Sequence, residues 1–212
     1  ERLSGAPRDL SRPARYRAIV NCGKPLPDMD VAIKGEDGAH KTDHQIGKVW
    51  CRGPSVMHSY FRNPEATGDC LVDGWLDTGD MGYTANGYLF IVGRAKDMII
   101  INGKNHWPQD IEWAVEQLPG FNHGDIAAFS IEMENGEEAP AVLVHCKVSD
   151  PEERVRLRDQ IADKVRSVTG MSCIVELVPP RTLPRTSSGK LSRAKAKKLY
   201  LAGEIVPIDL AA

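Results

Sequence analysis

The sequence predicts an α+β protein built in two parts, a β-rich segment over residues 1–97 and a compact α+β unit over residues 98–212. Short β-favouring runs broken by Gly and Pro fill the first half, whereas the second alternates apolar positions at helical spacing with extended runs. The change falls at Arg94-Ala95-Lys96-Asp97, and no internal repeat interrupts either pattern.

In the first part, strands are expected at 29–34 and 48–52, with a short helix near 55–61. A hairpin follows in which Gly82-Tyr83 and 88–92 flank Ala85-Asn86-Gly87, where Asn-Gly supplies the positive φ values of a tight turn. In the second part, Pro108 suits a helix first turn, Ile111, Val115 and Leu118 form one apolar face, and Pro119-Gly120 ends it. Trp107 and Trp113 both read as core. Strands fit 125–131 and 141–147. Asp150-Pro151-Glu152-Glu153 is a helix start, with Val155, Ile161, Val165 and Val168 as its inner stripe and Gly170 as its stop. A strand at 173–178 and a helix at 191–201 complete the series.

Composition removes several classes of function. A net charge of -2 gives no general attraction to nucleic acid or anionic membrane, and the seven Lys or Arg without an acid at 181–198 are a local feature. Five cysteines, never closer than the 19 residues between Cys51 and Cys70, signal neither a CxxC metal pair nor a disulfide framework, so a reducing cytoplasm is expected. There is no apolar run of membrane-spanning length, about 18 residues, and the opening residues have no hydrophobic centre of the kind a leader carries, so export is not expected. His40 and His44 share a polar loop with no third ligand in view, and no metal site is expected. The chain starts without Met on the polar lead ERLSGAPRDLSRPARYR, which is read as part of something longer.

Three motifs carry chemistry. GWLDTGD, residues 74–80, sets Asp77 and Asp80 around a Thr-Gly turn. Such carboxylates can accept the hydroxyls of a ribose, or simply cap their own backbone. Arg94, in the following GRAKDMIIINGKNHWPQDIE, could bring its rigid donor fork to the same ribose or to a phosphate, or be an ordinary strand-end arginine. PRTSSGK, residues 184–190, is not a phosphate-binding loop of the GxxxxGK[ST] type, because Pro184 replaces the first Gly and Leu191 the hydroxyl residue. What it offers is Lys190, an ammonium behind a flexible Gly-containing turn, suited to an anion brought to it or else simply solvated.

In this order and spacing, the three motifs resemble the C-terminal part of the acyl-adenylate-forming enzymes, the superfamily of acyl-CoA synthetases, luciferases and peptide-synthetase adenylation domains. NCGKPLPDMDVAI and GKVWCRGPSVMHSYFRNPEAT resemble the segments that precede them there, and NGKNHWPQDIE resembles the fatty-acyl-AMP ligases. The resemblance implies that residues 1–97 are the distal β-rich end of a large N-terminal adenylation domain and 98–212 its mobile C-terminal lid. It implies that Asp80 and Arg94 hold the AMP ribose, Asp97 is the hinge, Lys190 enters for adenylation, and Gly103 lies on a loop facing the pantetheine channel.

The implied cofactors are ATP and Mg2+, the latter with its ligand outside this chain. The implied partners are a fatty acid and the phosphopantetheine arm of an acyl carrier protein, with no nucleic acid. The 212 residues alone are then expected to form no acyl-adenylate. A fatty-acyl-CoA ligase fits the same motifs, and a non-catalytic partner-binding module is the alternative of another class.

Overall fold

Antiparallel pairing builds the first of the two units into which the chain divides, Glu1–Lys96 and Asp97–Ala212. The computed structural model describes residues 18–101, 103–133 and 136–210; the Pro/Arg-rich lead at 1–17 and Asn102 of the NGK turn lie outside them. Strands β1 (Asp30–Lys34), β2 (Gly47–Arg52), β3 (Leu71–Val72) and β4 (Trp75–Ala85) pair in the order β1-β2-β4-β3, and β5 (Tyr88–Arg94) pairs with β4. The β4–β5 turn carries Asn86 at φ 52° and Gly87 at φ 77°, as its sequence requires. Asp43 accepts from the Thr84 hydroxyl and the Asn86 N–H, both at 2.8 Å, bonds that hold its carboxyl below the usual range.

The helix expected near 55–61 does not form there; those residues are turns, bends and irregular chain. Helix α1 spans Pro64–Cys70, where Asn63 accepts the Ala66 N–H at 3.0 Å and Pro64 presets the first turn. Ser55 and Ser59 make no such capping bond among the described residues, and Tyr60 and Phe61 are exposed, so a helix there would bury little large apolar surface.

In the second unit, the hairpin β6 (Ile99–Ile101) and β7 (Lys104–His106) leads into helix α2 (Pro108–Glu116). Strands β8 (Ile126–Glu132), β9 (Glu138–His145) and β10 (Ile174–Val178) form a sheet in the order β10-β9-β8, with β8 antiparallel and β10 parallel to β9. Helix α3 (Pro151–Thr169) makes the crossover that a parallel pair demands, and α4 (Arg193–Leu201) follows β10. Asp150 caps α3 through the Glu152 N–H at 3.2 Å, and Gly170 ends it in the left-handed conformation at φ 77°.

Alternation along the central strand places the core on both faces of this sheet. Val142 and Val144 join Ile111 and Val115 of α2 and Ile161 and Val165 of α3 on one face. Ala141 and Leu143 join Ala196 of α4, Leu183 and Ile205 on the other. With both faces covered, β9 is an almost unbroken apolar run rather than an alternating one. Trp107 lies in the core at 6% exposure, but Trp113 is 48% exposed: α2 turns Ile111 and Val115 inward, which puts position 113 on its outer side. Among the described residues no helix is long and apolar enough to cross a membrane.

Ile161→Ala should cost about 2–5 kcal/mol through the cavity it leaves beneath the sheet, whereas Asp150→Ala should cost only about 1 kcal/mol through the lost cap. Chemical denaturation of the two variants side by side measures the difference.

Candidate active site

The sequence of β4 forces an outpouching at Thr78-Gly79-Asp80. Trp50 pairs with Asp77 and Lys48 with Met81, so one residue of β2, Val49, faces three of β4. The Thr78 hydroxyl fills the gap, donating to the Val49 carbonyl at 2.8 Å and accepting the Asp80 N–H at 3.1 Å. Gly79 takes φ 73°, which a side chain rarely tolerates, and its N–H donates to Asp77 Oδ1 at 2.9 Å. Asp77 is thereby used in capping its own turn and in a 3.5 Å contact with Lys48.

Asp80 is not used in this way. It stands directly across from Arg94 in the β4–β5 ladder, just before a second register shift, and its Oδ1 lies 3.0 Å from Arg94 Nε. Their side chains are 29% and 63% exposed, so the pair faces solvent. Asp80 Oδ2 and the outer guanidinium nitrogens remain for a ligand's hydroxyl or phosphate oxygens.

Lys190 ends a turn that is more closely tied than the flexible loop expected from the sequence. Thr186 N–H donates to the Lys190 carbonyl at 2.8 Å, Lys190 N–H to the Thr186 hydroxyl at 3.1 Å, and Gly189 N–H to the Thr186 carbonyl at 2.9 Å. The ammonium itself is exposed and makes no hydrogen bond or ion pair among the described residues. Gly103 sits in the β6–β7 turn at φ 70°, with open space around it. Among the described residues no three His, Cys, Asp or Glu side chains gather to hold a metal.

Sequence reasoning missed a two-pronged ion pair in the second unit. Arg193, the first residue of α4, donates from Nε to Glu112 Oε1 at 2.7 Å and from a terminal nitrogen to Oε2 at 2.6 Å. Its other terminal nitrogen reaches Asp97 Oδ2 at 3.3 Å. Glu112 is 6% exposed and also accepts the Ala128 N–H at 3.0 Å, so α2 and Asp97 meet on the guanidinium of α4, and β8 joins them through the Glu112 carboxylate. Burial alone would pull the Arg193 pKa down; Glu112, then Asp97, outweigh it and raise it. The available signal was an acid between Ile111 and Val115 on the inward stripe of α2, which needs a cationic partner that sequence alone does not name.

Also missed was a buried imidazole behind the lysine turn. His145 Nε2 accepts the Leu183 N–H at 3.2 Å, which assigns the ring proton to Nδ1, 3.4 Å from Asp125 Oδ1. Burial pushes the Asp125 carboxyl up, but the Asn122 N–H and then His145 more than compensate, leaving it below the usual range.

The first unit thus carries a solvent-facing carboxylate and guanidinium pair, and the second a lysine-tipped turn. Residues 103–198 match the AMP-binding enzyme C-terminal domain family, and the chain as a whole is similar to the C-terminal part of adenylate-forming enzymes. It is 46% identical over 89% of its length to a Caulobacter vibrioides protein named as an acyl-CoA synthetase, covering 33% of that protein. One of the fatty acyl-adenylate ligases of E. coli and L. pneumophila superposes over 94% of this chain and 35% of its own, at 40% identity and a TM-score of 0.82. The A-PCP structure of McyG complexed with phenylalanyl-adenylate superposes over 88% of this chain and 34% of its own, at 29% identity and a TM-score of 0.78. The chain thus spans about a third of the length of these relatives.

Removing Arg193 strands a buried carboxylate, and Arg193→Ala should therefore cost about 3–5 kcal/mol in denaturant unfolding. Replacing both partners with apolar residues, Glu112→Leu with Arg193→Met, should recover much of that loss.

Proposed function

We propose that this chain is the C-terminal part of a fatty-acyl-AMP ligase, which joins a fatty acid to ATP as an acyl-adenylate, releases pyrophosphate, and passes the acyl group to the phosphopantetheine thiol of an acyl carrier protein. The observation that carries the reading is the solvent-facing Lys190 ammonium, held on a hydrogen-bonded turn with no partner of its own among the described residues. The NGKNHWPQDIE segment and the similarity to a fatty acyl-adenylate ligase support this subclass. The similarity to a protein named as an acyl-CoA synthetase supports a second reading, in which CoA is the acceptor. Five free cysteines fit a cytoplasmic setting.

In the first half-reaction, a carboxylate oxygen of the fatty acid attacks the α-phosphorus and pyrophosphate leaves. Two anions must approach, and Lys190, carried in by the C-terminal lid, supplies positive charge where negative charge concentrates. Asp80 Oδ2 accepts a ribose hydroxyl while the Arg94 fork fixes the carboxylate and reaches the nucleotide. Mg2+ accompanies ATP, and no described residue is assigned to it. In the second half-reaction, the lid turns about Asp97, the Gly103 turn faces the pantetheine arm, and the thiolate displaces AMP from the acyl carbon. Residues 1–97 act here as the distal end of the large domain and 98–212 as the lid.

In the complete ligase, Lys190→Ala should lower acyl-adenylate formation by about 10²- to 10³-fold, as for other preorganised charges that stabilise a developing anion. Transfer from preformed acyl-adenylate should stay within a few-fold. Parallel loss in both steps with the fold intact would contradict the assignment. Comparing carrier protein with CoA as acceptor in the same assay separates the two readings.

Asp97→Pro fixes φ near -65° and restricts Lys96 as well, and should preserve one half-reaction while suppressing the other. Asp97→Ala is the control, because it removes the Arg193 contact without constraining the backbone. Equal loss in both half-reactions, or the same phenotype in both variants, would remove Asp97 as the hinge.

A further inference from the structure

We propose that Arg185 is the positioning residue for Lys190, a role that rests on the reading of Lys190 given above. One guanidinium clamps two carbonyls: a terminal nitrogen donates to Gly189 O at 3.1 Å, immediately before Lys190, and the other donates to Gly124 O at 3.1 Å, on the turn before β8. The lysine turn is thereby joined to a segment 61 residues away in sequence, beyond the reach of its own internal hydrogen bonds.

The receiving side is itself held in place. Gly124 N–H donates to Glu116 Oε1 at 3.1 Å, fastening the turn to the end of α2, and Asn122 N–H donates to Asp125 Oδ2 at 2.9 Å. Asp125 faces His145, whose Nε2 receives the Leu183 N–H two residues before Arg185. The clamp thus spans two anchored points, and both of its bonds are charge-assisted. Lysine could not reproduce it, because one ammonium lacks the flat, spread fork that meets two separate carbonyls.

Gly124 is part of the same device. A Cβ built on it would stand 2.9 Å and 3.1 Å from the two terminal nitrogens of Arg185, at a φ of 84°. Any side chain there would push the guanidinium off the Gly124 carbonyl, so the glycine keeps the seat of the clamp open.

The test uses the complete ligase and the variants Arg185→Ala, Arg185→Lys, Gly124→Ala, Lys190→Ala and Arg185→Ala/Lys190→Ala, with both half-reactions and thermal unfolding measured for each. Small displacements of a catalytic group cost up to about 10²-fold. Arg185→Ala and Gly124→Ala should therefore lower the kcat of acyl-adenylate formation by roughly 10- to 100-fold, leaving KM for ATP and transfer from preformed adenylate nearly unchanged, with only weak rescue of Arg185→Ala by lysine. The unfolding temperature should hold in Arg185→Ala and fall in Gly124→Ala, where alanine is strained at a φ of 84°. The double variant should be no worse than Lys190→Ala alone, since a residue that works only through Lys190 has nothing to add once the ammonium is gone.

If Lys190→Ala collapses adenylation while Arg185→Ala and Gly124→Ala do not, the positioning role is wrong and the reading of Lys190 stands. Additive losses in the double variant, or full rescue by lysine, would mean that Arg185 contacts the substrate as a charge, and would overturn the proposal. An unfolding temperature that falls together with both half-reactions would make the clamp merely structural. If Lys190→Ala has no effect, the earlier reading has failed, a failure visible in that variant alone, and Arg185 has nothing to position.

Discussion

A carboxylate buried to 6% exposure is the constraint around which the second unit is arranged. Removing Glu112 from water is costly, and the charge can stay only if every oxygen is satisfied. Two short bonds from Arg193 and one from the Ala128 N–H achieve this, the first two drawing α4 and the third β8 toward α2. The first turn of α4 is thereby fixed in place, and Lys190 lies three residues ahead of that fixed point. The same guanidinium reaches Asp97 at the first residue of the unit. A charge pair inside a small core contributes placement more than stability, since apolar residues of like size would hold the helices together at least as well.

In the first unit, placement comes from departures in strand register. Three residues of β4 facing one of β2 put Thr78, Gly79 and Asp80 outside the regular ladder, and the shift near Met81 and Gly82 frames the position at which Asp80 faces Arg94. Shifts of this kind re-aim side chains and recur beside ligand sites. The resulting ion pair is solvent-facing, and such pairs add only about 0–1 kcal/mol to stability. The fold therefore gains little from it, in contrast to the pair of Arg193 with Glu112. The sheet also needs little from Asp80, since it is Asp77 that caps the turn.

Much of this was legible along the chain. The Asn86-Gly87 turn, the capped start at Asp150, the stop at Gly170 and the strand runs of the second unit follow from local chemistry, in which a residue's own backbone preference or capping side chain decides the outcome. The misplaced helix near 55–61 was a local error of the same kind: the Asn63-Pro64 start was present and unused. Trp113 was misjudged because an aromatic ring signals burial only when its helical face turns inward, and that face is set by Ile111 and Val115.

By itself, then, the sequence determined the α+β class, the change of pattern near Asp97, and the three motifs that carry Asp80, Arg94 and Lys190, because each rests on neighbours a few residues apart. The tertiary structure alone decided which of the two aspartates is used up by its own turn, which base meets Glu112, and how the lysine turn is held. Those pairings join residues 81 positions apart for Arg193 with Glu112 and 61 apart for Arg185 with Gly124. Such partners are chosen by where the packed sheet and helices bring them, and no local preference along the chain encodes that distance.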